Sequence, residues 1–384
     1  MHIKLKSILA ESMNEIDWKS TDLIDIDPST PGNKTRCMSI QAVKDWLSSE
    51  LDRNESGGKA AKNMPRLTTN TVKGLVVTDE SGKRQVDIDQ FIRILTTPPK
   101  LIFDKGEKAL NTDDENTSTI NTGIPALRGI IWDAEARDFK IINTCPSAGN
   151  CVLTCYALFD KYIWLDGKNL KLAQRLQLIL ENPSEYIDQA FREARLYAQK
   201  AKWDNKILEI RWNDAGDFFS DRYFNSAMEI TRRLLDGGFP VKSYFYSKIG
   251  KYVELGQQMG MEVTYSLGGI DQVKDAKRKS VIVPTQVFRK FLKPTKGKGY
   301  EKELESGKTK ITPESKEALR QAVFDEYKND PEFKDLNIDT IKYTDEMPSQ
   351  EGNERKYSCI ILPGGDSDRP VQRKDVKHVF LLRH

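Results

Sequence analysis

The sequence predicts an α/β protein in which parallel βα units form a partial barrel or an open sheet. Two observations carry that prediction. Apolar strand-like runs and helical runs alternate through residues 206–285, the pitch at which right-handed βα crossovers build a parallel sheet. The strand runs also end on small or polar residues, as the carboxyl ends of strands in such sheets do. A small mixed α+β domain is expected at 1–103, an acidic polar linker or loop at 104–122, the βα core at 123–290 and a C-terminal extension at 291–384.

The elements follow in order. Val43, Trp46, Leu47 and Leu51 recur at helical spacing in 41–52. GLVVTD and RQVDID flank the turn residues SGK and predict a hairpin within 74–89. The stretch 104–122 is almost free of large apolar side chains, which predicts exposed chain. A second hairpin, ALRGIIWD and FKIIN, leads into a cysteine loop. After Cys155 a long helical stretch is divided at Asn182-Pro183, with Ser184 as a capping candidate. Strands at 206–212, 241–247, 261–267 and 280–285 then alternate with helices at 221–236, 250–260 and 271–278. A helix at 313–329 and the strand-like runs YSCIILPG and KHVFLLR close the chain.

Composition excludes several classes. Against 60 Lys and Arg stand 57 Asp and Glu, a net charge of +3, which argues against a dedicated nucleic-acid coat. Mean hydropathy is −0.59, and no apolar run approaches the roughly 20 residues of a membrane helix. The opening MHIKLKSILAESMNEIDW turns acidic too early for a secretory signal, so the cytoplasm is expected. Thiols stay reduced there, and clustered cysteines then suit metal binding or redox chemistry better than disulfides.

Three of the five cysteines, Cys145, Cys151 and Cys155, fall within eleven residues, in NTCPSAGNCVLTCYA. A loop of small residues lets three thiolates converge, and the helix opened by the third is expected to lower their pKa values. A closed zinc site needs four ligands. The three histidines, His2, His378 and His384, are distant in sequence, so either Cys37, Cys359 or His378 completes the site or one position stays open. An iron–sulfur cluster with an open iron, a zinc site and a metal-free packing role all remain open at this point. The spacing C-x5-C-x3-C is not a common zinc pattern.

A second constellation, WNDAGDFFS at 212–220, follows a strand and opens a helix. Asp214 and Asp217 are its candidate catalytic carboxylates, and Asn213 and Gly216 are placed to bind a cofactor. The plainer alternative is that Ser220 or Asp217 only caps the helix. The next two strand ends repeat the position with Tyr246 and Ser247, then Ser266, Gly268 and Gly269, where glycine permits close backbone approach. A basic strip with interleaved aromatics at 289–302 is a candidate nucleic-acid contact; its bland reading is a solvated loop.

The runs TCPSAGNCVLTCYA, LEIRWNDAGDFFSDRYF and SYFYSK together resemble the phage family named gene product 88, over roughly 121–285. Here Asn-Asp-Ala-Gly-Asp stands where the family has a shorter Ser-Gly-Asp, and a cysteine-rich C-terminal knuckle is missing. The layout is in turn similar to radical S-adenosylmethionine enzymes, in which three cysteines precede a helix in a partial βα barrel. The usual spacing there is C-x3-C-x2-C. That resemblance implies Cys145, Cys151 and Cys155 as cluster ligands, with Asp214, Gly216 and Asp217 at S-adenosylmethionine. It implies a small-molecule or macromolecular substrate in the cytoplasm of an infected cell. The alternative is a zinc-stabilised, non-catalytic module binding nucleic acid or a host protein.

Overall fold

The computed structural model describes residues 36–56, 73–78, 80–82, 84–105, 112–149, 155–159, 168–273, 275–288, 313–348, 350–361 and 369–382, with 65, 109, 152 and 291. Strand β1 (Arg36–Met38) leads into helix α1 (Ile40–Ser56), and β2 (Val76–Thr78) pairs antiparallel with β3 (Arg84–Val86). The chain turns helical sooner than the RQVDID pattern suggests. Asp87 accepts from the Gln90 amide at 2.8 Å and caps α2 (Ile88–Thr96), whose Ile88, Phe91 and Leu95 are buried.

Strand β4 (Thr117–Asn121) lies within the stretch expected to be exposed linker. Its TSTIN sequence lacks bulk, yet Thr117, Thr119, Ile120 and Asn121 are all buried. Threonine's branched, hydroxyl-bearing side chain suits a strand whose inner face meets polar neighbours. The hairpin β5 (Arg128–Asp133) and β6 (Asp138–Asn143) forms as expected, and β1 adds to it in the order β1-β6-β5. Helix α3 (Tyr156–Phe159) follows the cysteine loop, then α4 (Lys168–Glu181) and α5 (Pro183–Trp203). The cap of α5 is Asn182, with Pro183 in the first turn, rather than Ser184.

The βα alternation then runs through β7 (Ile207–Trp212), α6 (Asp221–Asp236), β8 (Val241–Ser247), α7 (Gly250–Gln258), β9 (Glu262–Ser266) and β10 (Lys279–Val283). No helix forms among the described residues of 271–278. Beyond α8 (Thr285–Phe288) and α9 (Pro313–Tyr327) come β11 (Ile341–Tyr343), β12 (Tyr357–Ile361) and β13 (Val376–Leu382). These three strands, from the segment expected as an extension, complete the main sheet.

The order is β11-β12-β13-β10-β9-β8-β7-β4, and every neighbouring pair is parallel. The sheet is open, with β4 and β11 at its edges. One face carries Leu208, Ile210, Trp212, Phe245, Val263 and Tyr265 against α5, α6 and α7 in the largest apolar core. On β10–β13 the same face packs α8 and α9 through Val283, Phe288, Leu319, Val323, Ile360 and Phe380. The opposite face is buried but polar, with Thr119, Glu209, Arg211, Thr264 and Ser280. A smaller core joins α1 and α2 to the hairpin through Trp46, Phe91, Ile130, Phe139 and Ile141. No helix among the described residues is long and apolar enough to cross a membrane.

Candidate functional site

The polar face opens, at the carboxyl ends of β7–β10, into a cavity of about 130 Å³. Parallel strands end there with their side chains fanned outward, which is where ligands bind in such sheets. Cys145, Cys155, Asn213, Asp214, Gly216, Asp217, Tyr246 and Ser266 all line it. One cavity thus gathers two of the three clustered cysteines and most of the polar strand-end residues singled out in the sequence. Cys151 lies outside the described residues, as do His2, His384 and, Phe291 apart, the basic strip 289–302.

The loop after β7 is built around Asn213, Gly216 and Asp217. Asn213 takes a left-handed backbone at φ 58°, a conformation asparagine tolerates, and Gly216 does so at φ 75°. A β-carbon on Gly216 would lie 2.4 Å from Ile124 Cγ1, so glycine answers a packing need as well. The Tyr223 hydroxyl donates to Asn213 Oδ1 at 2.6 Å. Asn213 Nδ2 is buried, and among the described residues it has no hydrogen-bond partner. Asn213 lines the cavity, and this buried donor is one of the few polar groups there left unsatisfied. Asn121, from the end of β4, donates to Asp214 Oδ2 at 2.6 Å.

Asp217 ties the loop after β7 to the end of β8. Its carboxylate accepts from the Ser247 hydroxyl at 2.7 Å, the Lys248 amide at 2.9 Å and the Phe218 amide at 2.8 Å. Burial pushes its pKa up from the ordinary carboxylate value, against the opposing pull of Lys248 and these donors. Ser247 therefore acts through Asp217 and is not among the cavity-lining residues. The capping role falls to Ser220, whose hydroxyl accepts from the Tyr223 amide at 3.3 Å. The aromatics of the motif are core: Phe218 packs at 5.0–5.1 Å centroid separation against Tyr223, Phe224 and Phe245.

Gly268 and Gly269 receive the cysteine loop itself. Ala148 forms a β-bridge with Gly269, and the Ile270 amide donates to Ser147 O at 3.0 Å. A β-carbon on Gly149 would come within 2.6 Å of Gly268 O, and one on Gly269 within 2.6 Å of Ser147 O. The close approach that this glycine pair permits is between two loops of the chain.

Cys145 accepts from the Leu127 amide at 3.3 Å, while its own amide donates to Asn143 Oδ1 at 3.0 Å. Burial, then the nearby Asp217 charge, pushes the Cys145 thiol up to about 12. The expected lowering by a helix N-terminus is thus reversed at Cys145, because desolvation of the thiolate outweighs it and α3 is only four residues long. A cation between the thiols would offset that cost, since metal ligation deprotonates cysteine. Among the described residues no group of three His, Cys, Asp or Glu side chains is arranged to hold a metal. Cys37 sits exposed on β1, Cys359 is buried among Val371, Val376 and Val379, and His378 bonds Asp335; none of them lines the cavity. Two thiols, Cys145 and Cys155, thus line one cavity, and thiolates are ligands for soft metal centres.

Several lining residues were not assigned a role from the sequence. Arg211 places its guanidinium 5.6 Å from the Tyr246 ring centroid, and Lys248 lies on the same wall. A cation inside the apolar run LEIRW was the available signal for Arg211. Ser280, Ile282 and Leu381 come from β10 and β13, and Leu381 is too distant in sequence for any local pattern to place it.

Fold and site define an open parallel α/β protein with a cysteine-lined cavity at its strand ends. The chain belongs to the gene product 88 family, whose model matches residues 101–323. That span begins shortly after α2, takes in the cysteine loop and the Asn-Asp-Ala-Gly-Asp loop, and ends within α9. No curated protein and no solved structure showed a match.

Proposed function

We propose that Cys145, Cys151 and Cys155 hold an iron–sulfur centre, and that the adjoining cavity binds S-adenosylmethionine for radical chemistry on a nucleotide, nucleic acid or protein of a phage-infected cell. The observation that carries this reading is the convergence of Cys145 and Cys155 with Asn213, Asp214 and Asp217 on one cavity. Chain order supports it too. The cysteine loop lies in the connection after β4 and the Asn-Asp-Ala-Gly-Asp loop follows β7, and these two strands are neighbours in the sheet.

An open iron, when the cluster is bound, supplies a coordination position and an electron. The chain's own residues bind and orient. Asn213 offers its free amide donor to an acceptor on the ligand. Arg211 and Lys248 bring positive charge to the wall that would face a carboxylate. Asp217 keeps the ends of β7 and β8 in register by its bonds to Ser247 and Lys248, while Ala126, Leu127, Val152 and Leu158 form an apolar side that excludes water.

Anaerobic purification with iron, sulfide and zinc analysis tests the reading. A coloured protein containing iron and sulfide, with its visible absorbance lost in Cys145→Ala, is the expected result. Stoichiometric zinc with no iron, and unfolding on chelation, would instead identify a zinc-stabilised binding module. A colourless protein that folds fully as the triple Cys→Ser variant would eliminate both.

A further inference from the structure

The exposed face of α5, on the side of the sheet away from the cavity, carries a second feature. Its inner face, Tyr186, Ile187, Ala190, Ala194, Ala198 and Ala201, is buried in the main core. Opposite lie Arg192, Leu196, Gln199 and Trp203, which 3.6 residues per turn places in one stripe. Arg195 and Lys202, seven residues apart, run along one edge of that stripe, and Lys200 stands on the other. Leu196 is 67% exposed and Trp203 75%, the two most exposed large apolar side chains among the described residues.

Charge on this half of the helix is one-sided. Among the described residues, Arg192, Arg195 and Lys202 have no carboxylate partner; the Lys202 ammonium meets only Gly238 O at 3.4 Å and the Phe239 ring. The carboxylates nearby are engaged elsewhere. Asp188 pairs with Arg233 at 2.8 Å, Asp204 with Lys200 at 3.2 Å, and Glu193 accepts the Ile102 and Phe103 amides at 2.8–3.1 Å. Glu185 shares the stripe but stands two turns before Arg192. Three cations without carboxylates beside an exposed indole match the chemistry of single-stranded nucleic acid: phosphates along the cations, a base stacked on the ring. The Gln199 amide, between them, can both donate to and accept from a base edge. A membrane surface fits less well, since interfacial helices lie on a broad apolar face and that of α5 is already buried.

We propose that this face of α5 binds single-stranded nucleic acid, with Arg192, Arg195 and Lys202 contacting phosphates and Trp203 stacking a base. The proposal is independent of any metal centre. The test is fluorescence anisotropy of a short fluorescein-labelled oligothymidylate with the full chain across a salt series. Trp203→Ala is expected to weaken binding by roughly tenfold, the scale of one lost stacking contact. The combined Arg192→Glu, Arg195→Glu and Lys202→Glu variant is expected to abolish it. Neutralising the same three with alanine should flatten the salt dependence, by about 0.7 in slope for each phosphate contact removed. All these positions are on the exposed side of the helix, so circular dichroism should match the wild type. Unchanged affinity in the charge-reversal variant would overturn the proposal. So would a chain that ignores the oligonucleotide but binds polyglutamate or phosphatidylserine vesicles.

Discussion

The Tyr223 hydroxyl donates to Asn213 Oδ1 at 2.6 Å, and so leaves the buried Nδ2 as the amide group without a partner among the described residues. Both residues are buried, and Asn213 is in a left-handed conformation at φ 58°. Tyr223→Phe keeps the ring against Phe218 and Phe219, at 5.1 and 5.5 Å, and removes only the donor. The carbonyl of Asn213 then loses its partner, a cost of about 1–3 kcal/mol for a buried polar group. Urea denaturation is expected to show a lower midpoint at unchanged slope. An unchanged midpoint would mean that the bond does not brace the loop.

Gly269 sets the seat of the cysteine loop. A methyl group there would lie 2.6 Å from Ser147 O and 3.0 Å from Lys248 Cβ, both in segments that line the site. Gly269→Ala is therefore expected to push the loop away from β9, costing about 1–3 kcal/mol as overpacking does. On the proposed cysteine-ligated centre, metal content after reconstitution should fall well below wild type while calorimetry still shows a cooperative transition. Full metal content in this variant would show that the two loops need not meet so closely.

Much of this architecture was readable from local pattern. The alternation from β7 to β9 was legible as strands and helices, because each βα unit there carries its own apolar period, whereas the helix expected at 271–278 does not form among the described residues. Asn213, Asp214 and Asp217 could be found because the fold class places strand ends on one edge. The miss at β4 has a physical cause: TSTIN is buried against polar neighbours, so hydrophobicity does not mark it. The β11–β13 strands show another limit. Their side-by-side place with β10 depends on pairing across almost a hundred residues, and no local period encodes that. The thiol of Cys145 failed differently, since a sequence shows the nearby helix start but not the depth of burial.

His378 makes stability depend on pH. Its Nε2 lies 3.1 Å from Asp335 Oδ1, its ring meets Phe333 at 5.1 Å, and Lys377 and Lys279 are the neighbouring cations. Burial, together with those lysines, holds its pKa below the ordinary 6.5, against the opposing pull of Asp335. The unfolded chain therefore binds the proton first as pH falls. Stability contributed by the neutral ring is intact above about 6.5 and is lost on acidification, at up to about 1.4 kcal/mol per pH unit. His378→Gln removes that proton from the balance. Urea titrations at neutral and mildly acidic pH should show a smaller loss in the variant; equal losses would place the acid sensitivity elsewhere.

Arg369 fastens the segment before β13 to the far edge of the sheet. Its guanidinium meets Glu209 Oε1 on β7 and Asp114 Oδ2, each at 3.1 Å, and donates to Thr112 O at 2.7 Å. Glu209 is 1% exposed, and burial already raises its pKa although Arg369 pulls the other way. Arg369→Ala removes that carboxylate's ion-pair partner and leaves the charge of Lys242 nearby. The change approaches the roughly 3–5 kcal/mol seen when a buried pair is broken from one side, less what solvent at the partly exposed arginine already screens. The sign of the pH dependence follows. A carboxyl whose folded pKa is raised binds its proton more readily in the native state, so the defect should be greatest at neutral pH and shrink as pH falls through that raised value. Arg369→Ala combined with Glu209→Gln should recover most of the loss, because the buried charge goes with its partner. A double variant no more stable than Arg369→Ala alone would show that the arginine acts through Thr112 and Asp114, and that Glu209 is carried by other neighbours.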